Sequence, residues 1–159
     1  MFTFETITHA HLTQLANLYV RAFNAPPWND DWTAGSAVGR LSLMLRAEGS
    51  FGIVMRDEED ICGMMLGGRE FYYDCLHFQI KELFTDPRVQ GTGAGTALLE
   101  ESERRLRDIG IRKVYLFTVR NEMTEGFYHK RGYDARENMV VMSKRLIESK
   151  TDQPEDSAC

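Results

Sequence analysis

The chain reads as a mixed α/β fold: a mostly antiparallel sheet with one parallel strand pair and helices on both faces. Three observations predict it. The apolar period changes from helical to alternating after about residue 50, then returns to helical near residue 94. Three strand-like segments, 51–56, 61–73 and 77–85, are separated by short turns and form an antiparallel meander. The last of these leads through a helix over 94–109 into "KVYLFTV" (113–119), a βαβ unit whose strands must be parallel neighbours.

Each element has its own reason. "FTFETIT" (2–8) alternates apolar and polar residues, as a strand does. Between His9 and Asn24, Leu12, Leu15, Ala16, Tyr19, Ala22 and Phe23 recur at helical spacing. The prolines of "APPWNDDW" (25–32) end that helix. Thr33 is placed to cap a second helix with Val38, Leu41 and Leu45 on its inner face. "DEED" (57–60) is the first hairpin turn, and Gly67-Gly68 marks a bend in the second strand of the meander. Gly110 stops the helix over 94–109. The near-continuous apolar run 113–119 predicts a strand buried on both faces. A short helix over Met123–Arg131 closes at Gly132, and "YDARENMVVMSKRL" (133–146) holds one or two final strands. No repeat or linker divides the chain, so residues 1–147 are expected to form one domain and 148–159 a polar tail.

Composition narrows the function. At 159 residues the chain is long enough to bury a proper core. A formal net charge of −5 argues against a general nucleic-acid surface. No stretch approaches a membrane span, and the N-terminus lacks a signal-peptide pattern. The three cysteines, Cys62, Cys75 and Cys159, suit free thiols in a reducing cytoplasm. No histidine or cysteine pair has metal-ligand spacing, so no metal is expected.

The most informative stretch is "VQGTGAGTALLE". Glycines at 91, 93 and 95 sit where a helix begins, although glycine is a poor helix former. A glycine loop between strand and helix is an anion site, because bare N–H groups and the helix dipole both favour phosphate. The nucleoside-triphosphate loop is excluded, since no Lys-Ser or Lys-Thr follows. A dinucleotide fingerprint from Gly91 would need glycine at Thr96; one from Gly93 would need it at Leu98. Gln90-Gly91-Thr92-Gly93-Ala94-Gly95 instead resembles the Q/R-x-x-G-x-G/A loop of the GNAT family of N-acetyltransferases. "NEMTEGFYHKRGY" (121–133) is similar to that family's downstream segment at Asn121, Phe127, Tyr128, Gly132 and Tyr133, with Thr124 where alanine is usual.

The resemblance implies a GNAT-like fold over residues 2–146, with the central parallel strands splayed apart, and acetyl-coenzyme A as cosubstrate. It implies that the amides of Gln90, Gly91, Thr92, Gly93, Ala94 and Gly95, with Thr96, hold the pyrophosphate. It implies that the pantetheine arm pairs with the strand at Leu83, Phe84 and Thr85, and that Asn121 contacts that arm. Tyr128 is the implied acid for the departing thiolate. Glu82 is the candidate base: alternation puts Phe78, Ile80, Glu82 and Phe84 on one apolar face, where desolvation raises a carboxyl pKa. No cysteine is set beside a histidine as a nucleophile, Cys75 and His77 being near in sequence only, so transfer is expected to be direct.

The acceptor is expected among Trp28, Asp31 and Trp32 of "APPWNDDW" and Tyr72 and Tyr73 of "GGREFYYDC", where aromatics beside acids suit a cationic amine. The first of these loops resembles that of small acetyltransferases related to aminoglycoside 6′-N-acetyltransferases. The expected partner is thus a small-molecule amine, aminoglycoside- or polyamine-like, with no nucleic acid and no membrane; a homodimer stays open. The alternative from another class is a non-catalytic acyl-coenzyme A sensor or interaction module on the same fold.

Overall fold

The computed structural model describes residues 1–147, and its contacts divide into two compact units, Met1–Phe117 and a second beginning at Thr118. In the first unit the chain runs β1 (Phe2–Thr6), a 3-10 turn, α1 (Leu12–Phe23), α2 (Ala34–Arg46), β2 (Ser50–Asp57), β3 (Asp60–Phe71), β4 (Leu76–Thr85), a second 3-10 turn (Pro87–Val89), α3 (Ala94–Asp108) and β5 (Lys113–Leu116). The sheet order is β1-β2-β3-β4-β5, antiparallel except for the parallel pair β4–β5. The meander and the βαβ unit expected from the sequence are both present.

The two helical layers follow from the apolar stripes. α1 buries Leu15, Ala16, Leu18, Tyr19 and Ala22, and α2 buries Ala37 and Leu41. These join Ile7, Val54, Ile61, Met64, Leu66 and Phe84 in one core, with Val38 and Leu45 at its margin. Leu15, Leu18 and Leu41 are fully buried, each contributing about 2 kcal/mol. That exceeds the ~0–1 kcal/mol of an exposed ion pair. α3 buries Ala94, Leu98, Leu99, Ser102 and Leu106 outside that core, while its solvated face carries Arg104 paired with Glu101 and Asp108.

Local chemistry sets the boundaries. Thr33 Oγ1 accepts from the Ser36 N–H at 3.1 Å, the cap expected at the start of α2. α3 ends where Gly110 takes φ 86° and the Ile111 N–H reaches back to Leu106 O at 3.0 Å. β3 and β4 slip register between Leu66 and Gly67, at the expected bend. Gly67 is required there: a Cβ would lie 2.0 Å from Gln79 O and 2.6 Å from the Phe78 ring.

Two expectations are corrected. The strand over 113–119 is shorter, ending at Leu116, and it is not buried on both faces. Phe117 and Val119 are exposed. β5 pairs with β4 alone among the described residues, so a β-favouring run here makes an edge strand rather than a central one. The strands expected over 133–146 are also absent from the described residues. The second unit holds α4 (Glu125–His129), closed by Gly132 at φ 83°, and residues 134–147 form no ladder. Met139, Val140, Val141 and Met142 are exposed there. β-propensity becomes a strand only when a neighbouring strand completes the ladder. The tail 148–159 lies outside the described residues.

Gly67→Ala is expected to destabilise the protein by about 1–3 kcal/mol through overpacking. Urea denaturation should show a lower midpoint at unchanged slope, and an unchanged midpoint would reject the close approach.

Candidate functional site

The site is built on the second half of β4. Ile80 pairs with Gly67 and Glu82 with Leu66, which leaves Lys81 unpartnered as the extra residue of a bulge. The odd residue corrects the alternation. Phe78 and Ile80 share the face of Gly67, and Phe78 meets Phe51 there, at 6.4 Å between ring centroids. Glu82 and Phe84 turn to the opposite face with Leu66 and Met64, under α1 and α2. Glu82 therefore does enter an apolar core, but through the bulge and not through strict alternation.

Glu82 is 6% exposed. Its Oε1 accepts from Arg40 Nε at 2.5 Å and from the Tyr19 hydroxyl at 3.3 Å. Burial pushes its pKa up, against the lowering effect of the Arg40 guanidinium and the two hydrogen bonds. Tyr19, itself desolvated and beside the Glu82 charge, has its pKa raised and stays protonated. Arg40 and Tyr19 both donate to Oε1, which leaves Oε2 to accept a proton. Tyr19 and Arg40 escaped the sequence reading: Tyr19 reads as a core position of α1, and nothing local links Arg40 to a glutamate 42 residues away.

An aromatic wall flanks the carboxylate. Tyr19 packs edge-on against Trp32 at 5.0 Å and Phe84 at 5.3 Å, and Phe23 meets Trp28 at 5.9 Å. The Arg40 guanidinium lies 5.8 Å over the Trp32 ring. Asn24 clasps the Trp32 backbone in both directions at 2.9 Å, and Asp30 Oδ2 accepts the Trp32 indole N–H at 3.0 Å. Asp31 is exposed beside them. Trp32 is thus tied to Glu82 through Tyr19 and Arg40. Tyr72 and Tyr73 are not: they lie on the hairpin before His77, with Tyr72 level with Cys75 and roughly 20 Å from Glu82 at 3.3 Å per strand residue.

β4 keeps its β3 partners to Thr85, but its pairing with β5 ends at Ile80–Leu116. Among the described residues no strand pairs with the other edge of β4 at Leu83, Phe84 and Thr85. The Phe84 side chain belongs to the core, so only its backbone is available to a ligand. Next comes the glycine loop. Gly91 and Gly93 have φ 76° and 88°, and a Cβ at either would meet nothing within 4 Å. Gly93 precedes α3 without a side-chain cap. Within the loop the Gln90 and Thr92 N–H groups donate to Pro87 O and Val89 O at 3.3 and 3.4 Å. Gln90, Gly91, Thr92 and Gly93 are exposed, Ala94 is buried, and Gly95 and Thr96 are half-buried.

Asp86, also missed from the sequence, fixes the loop's entry. It is 1% exposed and accepts from Arg21 at 2.9 Å, from the Arg88 N–H at 2.9 Å and from the Arg88 guanidinium at 3.0 Å. Burial alone would raise its pKa, but the Arg88 and Arg21 hydrogen bonds win and lower it to about 2.

In the second unit, Asn121 Oδ1 accepts from the Thr124 N–H at 2.9 Å and caps the turn into α4. Tyr128 packs against Phe127 and Tyr133, and burial raises its pKa to about 12. Its hydroxyl stays protonated at neutral pH and is able to donate.

A mixed sheet with one parallel pair, opened beside a side-chain-free glycine loop at a helix N-terminus, defines an acyltransferase fold of the GNAT type. Comparison with known proteins agrees. The chain belongs to the acetyltransferase (GNAT) family, whose model matches residues 12–133. Acetyltransferase SG1711 of Sodalis glossinidius (strain morsitans) is 24% identical over 142 residues, 88% of this chain and 92% of that protein. Aminoglycoside acetyltransferase meta-AAC0020 from an uncultured soil metagenomic sample, solved in complex with sisomicin, superposes with TM-score 0.71 at 18% identity. The match covers 92% of this chain and 97% of that one. AAC(6')-Iy, solved in complex with the bisubstrate analogue CoA-S-monomethyl-acetylneamine, gives TM-score 0.70 at 14% identity over 92% and 99% of the two chains. These structural likenesses are likenesses of fold. Among the described residues no helix is long and apolar enough to cross a membrane.

Because the folded-state pKa of Asp86 lies below its unfolded value of 3.8, its stabilisation is present above that pH and lost as pH falls toward 2. Asp86→Asn should remove roughly 2 kcal/mol at pH 7 and flatten the stability profile between about pH 5 and 2. A profile that keeps its slope would reject Asp86 as the titrating group.

Proposed function

We propose that the protein is a cytoplasmic acetyl-coenzyme A-dependent N-acetyltransferase that acts by direct transfer on a primary amine of a small cationic acceptor, with residues 1–147 as its functional domain. The observation that carries this reading is the juxtaposition, on one half-strand, of a desolvated carboxylate, an unpaired backbone edge and the glycine loop. The open space over Gly91 and Gly93 fits a pyrophosphate, which the amides of Gln90 to Gly95 with Thr96 would hold, while Leu83 to Thr85 would pair with the pantetheine arm. When bound, acetyl-coenzyme A supplies the acetyl group as a thioester.

The chain's own residues supply proton handling and position. Glu82 accepts the amine proton at Oε2, and its raised pKa suits a base working near neutral pH. Arg40 and Tyr19 hold Oε1 and thereby orient the carboxylate. Tyr128, with a hydroxyl protonated up to about pH 12, donates to the departing thiolate. Asn121 orders the turn that carries Tyr128 and is the side chain proposed to contact the arm. Trp28, Trp32 and Asp31 receive the cationic acceptor, through ring faces and carboxylate charge. The aminoglycoside acetyltransferases among the structural relatives support an acceptor of that kind.

Purified protein should release coenzyme A thiol from acetyl-coenzyme A in the presence of an effective amine. No release across an amine panel, with melting unchanged by the cofactor, overturns the proposal; stabilisation without turnover supports the sensor alternative. Glu82→Gln should lower kcat/KM by about 100-fold or more. Arg40→Met should move the acidic limb of the pH–rate profile to higher pH, because Arg40 lowers the Glu82 pKa. Tyr128→Phe should lower kcat while leaving cofactor affinity unchanged; equal kcat removes Tyr128 from the mechanism.

A further inference from the structure

At the far end of β4, three ligand-bearing side chains converge that the proposed chemistry does not use. Asp74 and Cys75 lie in the β3–β4 turn, and His77 is the second residue of β4. A carboxylate oxygen of Asp74, the Cys75 sulfur and a His77 ring nitrogen all lie within 4.8 Å of one another. Cys75 and His77 are therefore close in space, not in sequence alone. His77 is 5% exposed, and its Nε2 is buried without a hydrogen-bond partner. That nitrogen faces Asp74 Oδ1 at 3.4 Å, beyond an ordinary N–H···O bond. Tyr72 stacks on the imidazole at 4.7 Å and 13°, which fixes the ring plane.

A buried ring nitrogen without a partner loses its hydration and gains nothing in exchange. A thiol–acid–imidazole set aimed at one point offers a way to relieve it. We propose that Asp74, Cys75 and His77 form a three-ligand site for a divalent borderline cation of the Zn²⁺ type, with a fourth position open to water. The donor set selects the ion. One carboxylate is too few for Ca²⁺ or Mg²⁺, whereas sulfur with imidazole and carboxylate suits Zn²⁺ or Co²⁺. Tetrahedral bonds of 2.0–2.3 Å would set the ligand atoms roughly 3.3–3.8 Å apart. The cluster must therefore tighten by about 1 Å from its 4.8 Å limit. Exposed Asp74 and half-buried Cys75 sit on a turn that is free to make that movement, while buried His77 stays fixed. A thiol ligates a cation as the thiolate, so cation binding at Cys75 must release a proton. The site is roughly 16 Å from Glu82, so its role is to staple the hairpin to β4.

The test is titration of the full-length, reduced, chelator-treated protein with Co²⁺ and then Zn²⁺. One equivalent of Co²⁺ should bind with a sulfur-to-cobalt charge-transfer band, which Zn²⁺ should displace. Cys75→Ser should abolish the band, and Asp74→Asn should weaken binding at least tenfold. Both changes lie on the turn, so circular dichroism should show both variants folded. The double change Cys62→Ser, Cys159→Ser should keep the band. Absence of saturable binding overturns the proposal, as does a band that survives Cys75→Ser or vanishes with the other two thiols.

Discussion

β4 has two edges, and among the described residues only one of them is paired along its length. β3 holds it from Leu76 to Thr85, whereas β5 holds it only from His77 to Ile80. Backbone N–H and C=O groups demand partners, so an edge left open at the centre of a fold is either a liability or a binding surface. The bulge at Lys81 falls immediately after the last β4–β5 pair. It turns Glu82 into the α1–α2 core at the point where the far edge becomes free, and the glycine loop begins a few residues later. Both the candidate base and the candidate cofactor surface hang from that one half-strand.

Two buried acids lie four residues apart on this segment and are treated oppositely. Glu82 sits among Tyr19, Trp32 and Phe84 with one guanidinium, and desolvation dominates its titration. Asp86 is as deeply buried, yet two arginines and a backbone N–H donate to it, and it stays ionised. The first environment favours the protonated carboxyl and costs stability at neutral pH; the second makes a rigid entry to the loop and supplies stability. The difference is the number of donors each carboxylate meets, because burial alone raises both.

The legible parts of the sequence were those with short-range causes. The helical stripe of α1, the Thr33 cap, the meander and the β4–α3–β5 unit follow from periodicity and turn residues within a few positions. The glycine loop was legible because positive φ at Gly91 and Gly93 is a local demand. Illegible were Arg40 reaching Glu82, Arg21 reaching Asp86 and the pairing state of 133–146, since each depends on a partner far along the chain. Tyr72 and Tyr73 join Trp28 and Trp32 in the sequence reading through the acceptor side that the family resemblance implies and through their shared aromatic and acidic composition. The length of β4 separates the two sets.

The sequence by itself determined the order of elements as far as β5, the glycine-rich start of α3 and membership of a recognisable acyltransferase pattern, because these are written in spacing and backbone permission. Tertiary structure alone decided which face Glu82 occupies. One unpaired residue in β4 inverts every side chain beyond it, and the slip falls at Gly67, where β3 and β4 approach too closely for a Cβ. It also decided that Asp74, Cys75 and His77 meet. A turn's path through space, unlike its sequence, fixes whether neighbouring donors point toward one centre or apart.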